Sequence, residues 1–283
     1  MPTFKKFSSL RTGRSVLVLF LVLSSPLAIM FFIENRLLFP VPRLVPEQWK
    51  PEELQFEEVR FSSADGTSLH GWYVDHPRPR AHILYCHGNG VDVSDLDGLL
   101  KKVSEGLEVA IFAFDYRGYG HSEGSPHERG VLADGDAAQR WLSHRAGIAP
   151  DQLVLMGRSL GGAVAIDLAA RNGARGLIVE STFTNIPDVA ARLFWWAPVR
   201  WFVRSRFDSL SKLSRYPGPL LLSHGTADQL IPIADAQRLF AAAPGPNKQF
   251  FPLPDADHND PHPAEYYLQL ANFLAQLPPV EPR

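Results

Sequence analysis

The chain has 283 residues, of which 45% are hydrophobic and 20% charged, with a formal net charge of −2. That is apolar material for one large α/β core, and the near-balance of charge points away from nucleic acid. A single cysteine, Cys86, excludes an intramolecular disulfide framework and a multi-cysteine metal site.

Residues 1–14 form a basic N-terminal segment, carrying Lys5, Lys6, Arg11 and Arg14 with no acid. Residues 15–33 follow without a charge. As a helix they would reach about 28 Å, close to the thickness of a hydrocarbon core, and they read as a transmembrane anchor. The basic flank before it, against Glu34, Asn35 and Arg36 after it, favours a cytoplasmic N-terminus and a downstream domain on the non-cytoplasmic side. A cleaved signal peptide is the competing reading. Against it, the apolar run continues through Phe31-Phe32-Ile33, and no small-x-small cleavage site followed by polar sequence appears. Residues 34–52, with Pro40, Pro42, Pro46 and Pro51, read as an extended linker.

A domain over residues 53–277 then alternates strands and helices before a short tail, 278–283. Strand patterns at 54–61 and 68–74 flank the turn Asp65-Gly66 and predict a hairpin. Strands at 81–86, 109–114, 152–156, 175–179, 219–223 and 248–252 alternate with helices at 94–105, 128–145, 160–171, 233–242 and 263–275. The pattern predicts a mostly parallel, doubly wound α/β sheet with helices on both faces, its functional loops at the carboxyl ends of the strands.

Residues 182–216 interrupt the alternation and read as a small helical cap insertion. Trp195, Trp196 and Trp201, three of the six tryptophans, sit there among Arg192, Arg200 and Arg204. One reading turns an aromatic side toward an acyl chain or a membrane interface. The expectation for most of these side chains is helix packing, with Trp and Phe buried and Arg solvated. Arg206 and Asp208 are expected to pair.

The chemistry centres on Gly157-Arg158-Ser159-Leu160-Gly161-Gly162, between an apolar strand and a helix. A serine flanked by glycines there sits on a tight strand-to-helix turn that exposes its hydroxyl beside the first free N–H groups of the helix. A serine hydroxyl needs a base within hydrogen-bond reach and a carboxylate to orient that base. Asp228 follows the strand at 219–223 in His224-Gly225-Thr226-Ala227-Asp228 and is the candidate acid. His258 follows the last strand in Asp257-His258-Asn259-Asp260 and is the candidate base. The order Ser159, Asp228, His258 is the one this mechanism uses on a doubly wound sheet. The loop His87-Gly88-Asn89-Gly90 supplies the candidate oxyanion donor, the backbone N–H of Asn89, beside that of Leu160. His87 reads as bracing the loop, and Asp115 and Arg117, in Asp115-Tyr116-Arg117-Gly118-Tyr119-Gly120, as structural braces. This chemistry calls for no metal or other cofactor.

With these motifs in place, the chain resembles the α/β-hydrolase superfamily, and more narrowly its Bem46-like branch, from about Glu53 to Leu277. The resemblance implies an α/β-hydrolase fold and a serine hydrolase acting on acyl esters or thioesters. Some members of that branch remove palmitate from proteins, and several carry an N-terminal membrane anchor. The chain lacks the cysteine-rich N-terminus of the depalmitoylating members, which favours lipid-like or small ester substrates. A serine peptidase and a catalytically silent interaction protein on a hydrolase scaffold are the alternatives.

Overall fold

Near-continuous apolar runs such as Ala110-Ile111-Phe112-Ala113-Phe114 are what strands need when both faces of a sheet are covered. The computed structural model, which describes residues 34–280, builds eight of them into one sheet. These are β1 (Glu57–Ser62), β2 (Ser68–Val74), β3 (His82–Cys86), β4 (Ala110–Asp115), β5 (Val154–Arg158), β6 (Gly176–Glu180), β7 (Leu220–Gly225) and β8 (Lys248–Leu253). Their order across the sheet is β1-β2-β4-β3-β5-β6-β7-β8. Only β2 runs against its neighbours, as the predicted hairpin requires; every other pairing is parallel.

Side chains of one strand alternate between two cores. In β3, Leu84 and Cys86 join Val131, Leu142 and Val164, from helices α2 (Glu128–Ala146) and α3 (Leu160–Asn172). Ile83 and Tyr85 join Leu100 and Leu270 on the opposite face, from α1 (Asp97–Leu107) and α7 (Ala264–Ala275). Each fully buried aliphatic side chain contributes about 1.5–3 kcal/mol, so two filled faces fix the sheet's register. In that register Cys86 lies beside Gly157, Arg158 beside Glu180, and Glu180 beside Ser223. The carboxyl ends of β3, β5, β6 and β7 therefore form one edge, where the motif-bearing loops emerge.

Between β6 and β7 lie α4 (Ile186–Leu193), a 3₁₀ turn (Val199–Trp201) and α5 (Ser209–Leu213); α6 (Ile233–Ala242) follows β7. The expected burial of the insertion's aromatic residues is overturned. Trp195, Trp196 and Trp201 are 82%, 71% and 83% exposed, and Phe194 and Phe202 are exposed as well. The insertion is held instead by Val199 and Phe207, which are buried, Phe207 meeting the Phe39 ring edge-on. One side of the segment is thereby spent on the core, and the tryptophans fall on the other. The expected Arg206–Asp208 pair is not formed either. Asp208 caps α5 by accepting the Ser211 N–H at 3.2 Å, while the Arg206 N–H donates to Glu128 at 2.6 Å.

The linker is not free chain. Residues 34–38 are helical, and Glu34 is buried, its carboxylate accepting from the N–H groups of Ser205 at 2.8 Å and Arg204 at 3.1 Å and from Arg204 Nε at 3.1 Å. The anchor read at residues 15–33 lies outside the described residues, and no helix among the described residues is long and apolar enough to cross a membrane.

Arg117 acts as a brace. Its guanidinium donates to buried Asp134 at 2.7 and 3.0 Å and to Asp65 at 2.7 Å, tying the loop after β4 to α2 and to the first hairpin. Removing one partner of a buried pair leaves the other charge uncompensated, at a cost of about 3–5 kcal/mol. Asp134→Ala is expected to lose that much in urea unfolding, whereas Asp65→Ala, at the exposed end of the same network, is expected to lose far less.

Candidate active site

At the end of β5 the chain turns into α3 through Ser159, whose backbone adopts φ 53°, ψ −114°. A non-glycine residue in such a region carries strain of about 1–3 kcal/mol and persists only where its surroundings hold it. Here the Ser159 N–H donates to the Glu180 carbonyl at 2.8 Å, and Thr182 Oγ1 donates to the Ser159 carbonyl at 2.7 Å. A β-carbon on Gly157 would fall inside the Gly161 carbonyl, and one on Gly161 inside the Cys86 carbonyl. Both glycines are thus dictated by close backbone approach, and α3 begins hard against the end of β3.

His258, on the loop between β8 and α7, places Nε2 3.1 Å from Ser159 Oγ and Nδ1 2.7 Å from Asp228 Oδ2. Asp228 lies just past β7, and its other oxygen accepts the N–H groups of Leu230 at 3.0 Å and Ile231 at 2.7 Å. Burial opposes ionisation of Asp228. Hydrogen bonds from His224, His258 and the Ile231 N–H outweigh it and hold the carboxyl well below the usual carboxylate range. An ionised Asp228 requires the proton on His258 Nδ1, leaving Nε2 to accept from the serine hydroxyl. The structure thus brings Ser159, Asp228 and His258, distant in sequence, into one hydrogen-bonded relay.

The loop after β3 runs alongside: a β-carbon on Gly88 would sit 3.8 Å from Ser159 Cβ. Asn89 and Leu160 consequently flank the serine, Asn89 on this loop and Leu160 as the first residue of α3. The Asn89 side chain is engaged too, Oδ1 accepting from the Tyr119 hydroxyl at 2.5 Å and Nδ2 donating to the Leu38 carbonyl. His87 is fully buried, donates from Nδ1 to the Gly88 carbonyl at 2.8 Å, and is pushed by burial toward its neutral form. Burial likewise raises the Cys86 thiol, removing it as a nucleophile.

Residues 77–218 match the family described as serine aminopeptidase, S33. An uncharacterised protein of Mycobacterium tuberculosis is 35% identical over 206 residues, covering 72% of this chain and 73% of its own. Protein bem46 of Schizosaccharomyces pombe is 30% identical over 241 residues, covering 80% of this chain and 79% of its own. The chain belongs to the α/β-hydrolase superfamily, in its Bem46-like branch. In fold it is similar to an esterase of Pyrococcus furiosus, with a TM-score of 0.68 at 20% identity, over 84% of this chain and 96% of that one.

Next to Ser159 this α/β-hydrolase holds a cavity of about 650 Å³ that also touches Asn89 and His258. Leu96, Leu99, Leu230, Pro261 and Tyr267 supply apolar wall, while Lys102 and Arg158 bring charge to it. Gly98, Leu99 and Lys102 of α1 and Tyr267 of α7 are among its lining residues, and the 182–216 insertion contributes none.

Three contributors were not assigned a role from the sequence. His224 Nε2 lies 3.3 Å from Asp228 Oδ2 and donates to the Ile231 carbonyl at 2.6 Å, bracing the acid loop from below. Arg158 donates to the His258 carbonyl at 2.6 Å, tying the residue before the serine to the backbone of the candidate base. Thr182 supports the Ser159 turn. Their proximity to the motifs, His224 within the acid motif and Arg158 beside Ser159, was the available signal. Neither local position reveals a partner on another strand end.

Because the folded state lowers the Asp228 pKa, its ionised form contributes stability that is complete above the unfolded value near 4 and is lost as pH falls through the folded value. The stability gap between the natural chain and Asp228→Asn, measured by urea unfolding, is expected to be widest near pH 7 and to narrow below about pH 4.

Proposed function

We propose that the chain is a serine hydrolase that cleaves acyl ester or thioester bonds on lipid-like or small substrates through an acyl-enzyme. The observation that carries this reading is the continuous relay Ser159 Oγ, His258 Nε2, His258 Nδ1, Asp228 Oδ2, with steps of 3.1 and 2.7 Å, opening on a largely apolar cavity. Ser159 Oγ adds to the acyl carbonyl as His258 Nε2 takes the hydroxyl proton, and Asp228 stabilises the imidazolium so formed. The negative charge passes to the carbonyl oxygen, where the backbone N–H groups of Asn89 and Leu160 receive it; one such donor is worth about 3–4 kcal/mol. Collapse of the tetrahedral adduct expels an alkoxide or thiolate, which takes the proton from His258. Water, deprotonated by the same nitrogen, then attacks the acyl-enzyme, and the fatty or short acid leaves with Ser159 restored.

The esterase activity of the Pyrococcus furiosus neighbour supports an ester over an amide. The peptidase alternative, which the name of the matched family raises, requires an acidic group to hold a peptide amine. The acid at this cavity, Asp95, is exposed and already accepts from the Asp92 N–H at 3.1 Å and from Gln48 at 3.3 Å, which makes it a poorer clamp for a peptide amine than a buried, unshared carboxylate. Residues 15–33 are proposed to anchor the enzyme in a membrane, with the hydrolase domain on the non-cytoplasmic side. Resistance to alkaline carbonate extraction, with protease access from that side alone, is the expected behaviour; release by carbonate would remove the anchor.

A fluorophosphonate probe is expected to label the detergent-solubilised natural chain and not Ser159→Ala. Ser159→Ala, His258→Ala and the double variant are each expected to lose roughly 10⁴-fold or more in p-nitrophenyl ester turnover, with no further loss in the double, because the residues act as one unit. Equal labelling of the natural and Ser159→Ala chains would sink the assignment.

A further inference from the structure

Single exposed apolar side chains are ordinary, but the insertion concentrates them. Trp195, Trp196 and Trp201 lie within seven residues, flanked by exposed Leu193, Phe194 and Phe202. Among the described residues, none of the three indole rings stacks on another ring, and none donates its N–H to a protein acceptor. The segment that carries them is not loose. Val199 and Phe207 are buried under it, and Arg200 is tied to Asp188 at 3.1 Å. A firmly held surface that presents three large amphipathic rings outward is built to meet something.

We propose that this aromatic surface docks on the lipid bilayer, its rings at the headgroup boundary. Tryptophan is enriched at that depth because its ring is apolar while its N–H still seeks a polar acceptor, and long Arg side chains reach the same layer. The second observation is where the chain outside the structure ends. Residues 15–33, nineteen without a charge, run directly into Glu34. Glu34 is buried against the insertion itself, bonded to Arg204 and Ser205, two and three residues after Phe202. A span that leaves the bilayer at residue 33 therefore delivers the insertion to the membrane surface with no slack chain between them.

The same stem reaches the proposed site. Residues 34–38 are helical and rise about 6 Å, after which the Leu38 carbonyl accepts from Asn89, and a β-carbon on Gly90 would lie 3.9 Å from Pro40. The docking surface and the loop beside Ser159 are thus joined by one short segment, hydrogen-bonded to each. Bilayer docking holds the domain at the lipid boundary, although the cavity itself is lined by other segments, and, resting on the hydrolase reading above, it brings membrane acyl chains within reach as substrates.

The test uses the full chain reconstituted in phosphatidylcholine vesicles, with and without bromine on the acyl chains. Residues 1–33 contain no tryptophan; of the other three, Trp49 and Trp72 are buried and Trp141 is partly buried against Tyr73 and Phe112, so acyl-chain bromine reports chiefly on the exposed three, and the triple variant gives the share due to the others. Brominated lipid is expected to quench a large share of the natural chain's emission, and to lose that effect on the Trp195→Ser/Trp196→Ser/Trp201→Ser variant. Positions this exposed tolerate replacement, and thermal unfolding of the variant checks that they do. Equal quenching of both proteins overturns the proposal. Emission quenched by aqueous iodide and not by bromine overturns it by leaving the surface in water. Emission protected from both overturns it in favour of cover by residues 15–33 or by a second copy, which dilution separates. None of these readouts depends on turnover, so failure of the hydrolase reading would appear only as absent fluorophosphonate labelling.

Discussion

The strained turn at Ser159 is the constraint on which the rest of the site depends. A positive φ at a serine is unfavourable by itself, and it persists because three neighbours share the load. The Glu180 carbonyl, the Thr182 hydroxyl and the close stacking of α3 on the end of β3 each require a specific strand to lie beside β5. The parallel order β3-β5-β6 is therefore as much a part of the proposed nucleophile as its oxygen. The turn in return sets the hydroxyl above the sheet edge, at the N-terminus of α3, where developing negative charge is favoured.

The proposed acid and base are positioned by a different kind of balance. Asp228 is removed from water, which by itself would favour the protonated acid. Two imidazoles and two backbone N–H groups converge on its two oxygens and reverse that preference. The carboxylate can then fix the His258 tautomer without taking its proton. Arg158 adds a tether from the strand that carries Ser159 to the His258 carbonyl, tying the proposed base to the proposed nucleophile.

The N-terminal stem and the insertion make a second organised region at the same edge. The stem reads as proline-rich linker, yet Glu34 and Phe39 are buried and Leu38 accepts from Asn89. The loop proposed to bind the oxyanion is therefore coupled to the segment that leads from the proposed anchor. The insertion, expected to bury its tryptophans, buries Val199 and Phe207 instead. An amphipathic segment has two apolar options, the core and whatever lies outside, and only the space available on the sheet decides which residues take the first.

Much was legible without coordinates. The alternation of strands and helices follows from local periodicity, and each sheet strand formed within a few residues of its expected bounds. Ser159 stands out because its glycine neighbours are required by backbone approach within a single turn, and Asp228 and His258 because polar loops at strand ends are where a doubly wound sheet collects its chemistry. Non-local facts were out of reach: that His224 supports Asp228, that Arg158 holds His258, that Asn89 is spoken for on both side-chain atoms, and that three tryptophans face outward. Each depends on which loops the sheet order makes neighbours, and on how much surface the core leaves over. Sequence thus determined the elements, the α/β-hydrolase class and the chemical identities at the strand ends, all set by spacing and residue type along a short stretch. Tertiary structure alone decided distances, burial and the partners of each polar atom, because these arise only when segments far apart in the chain compete for the same space.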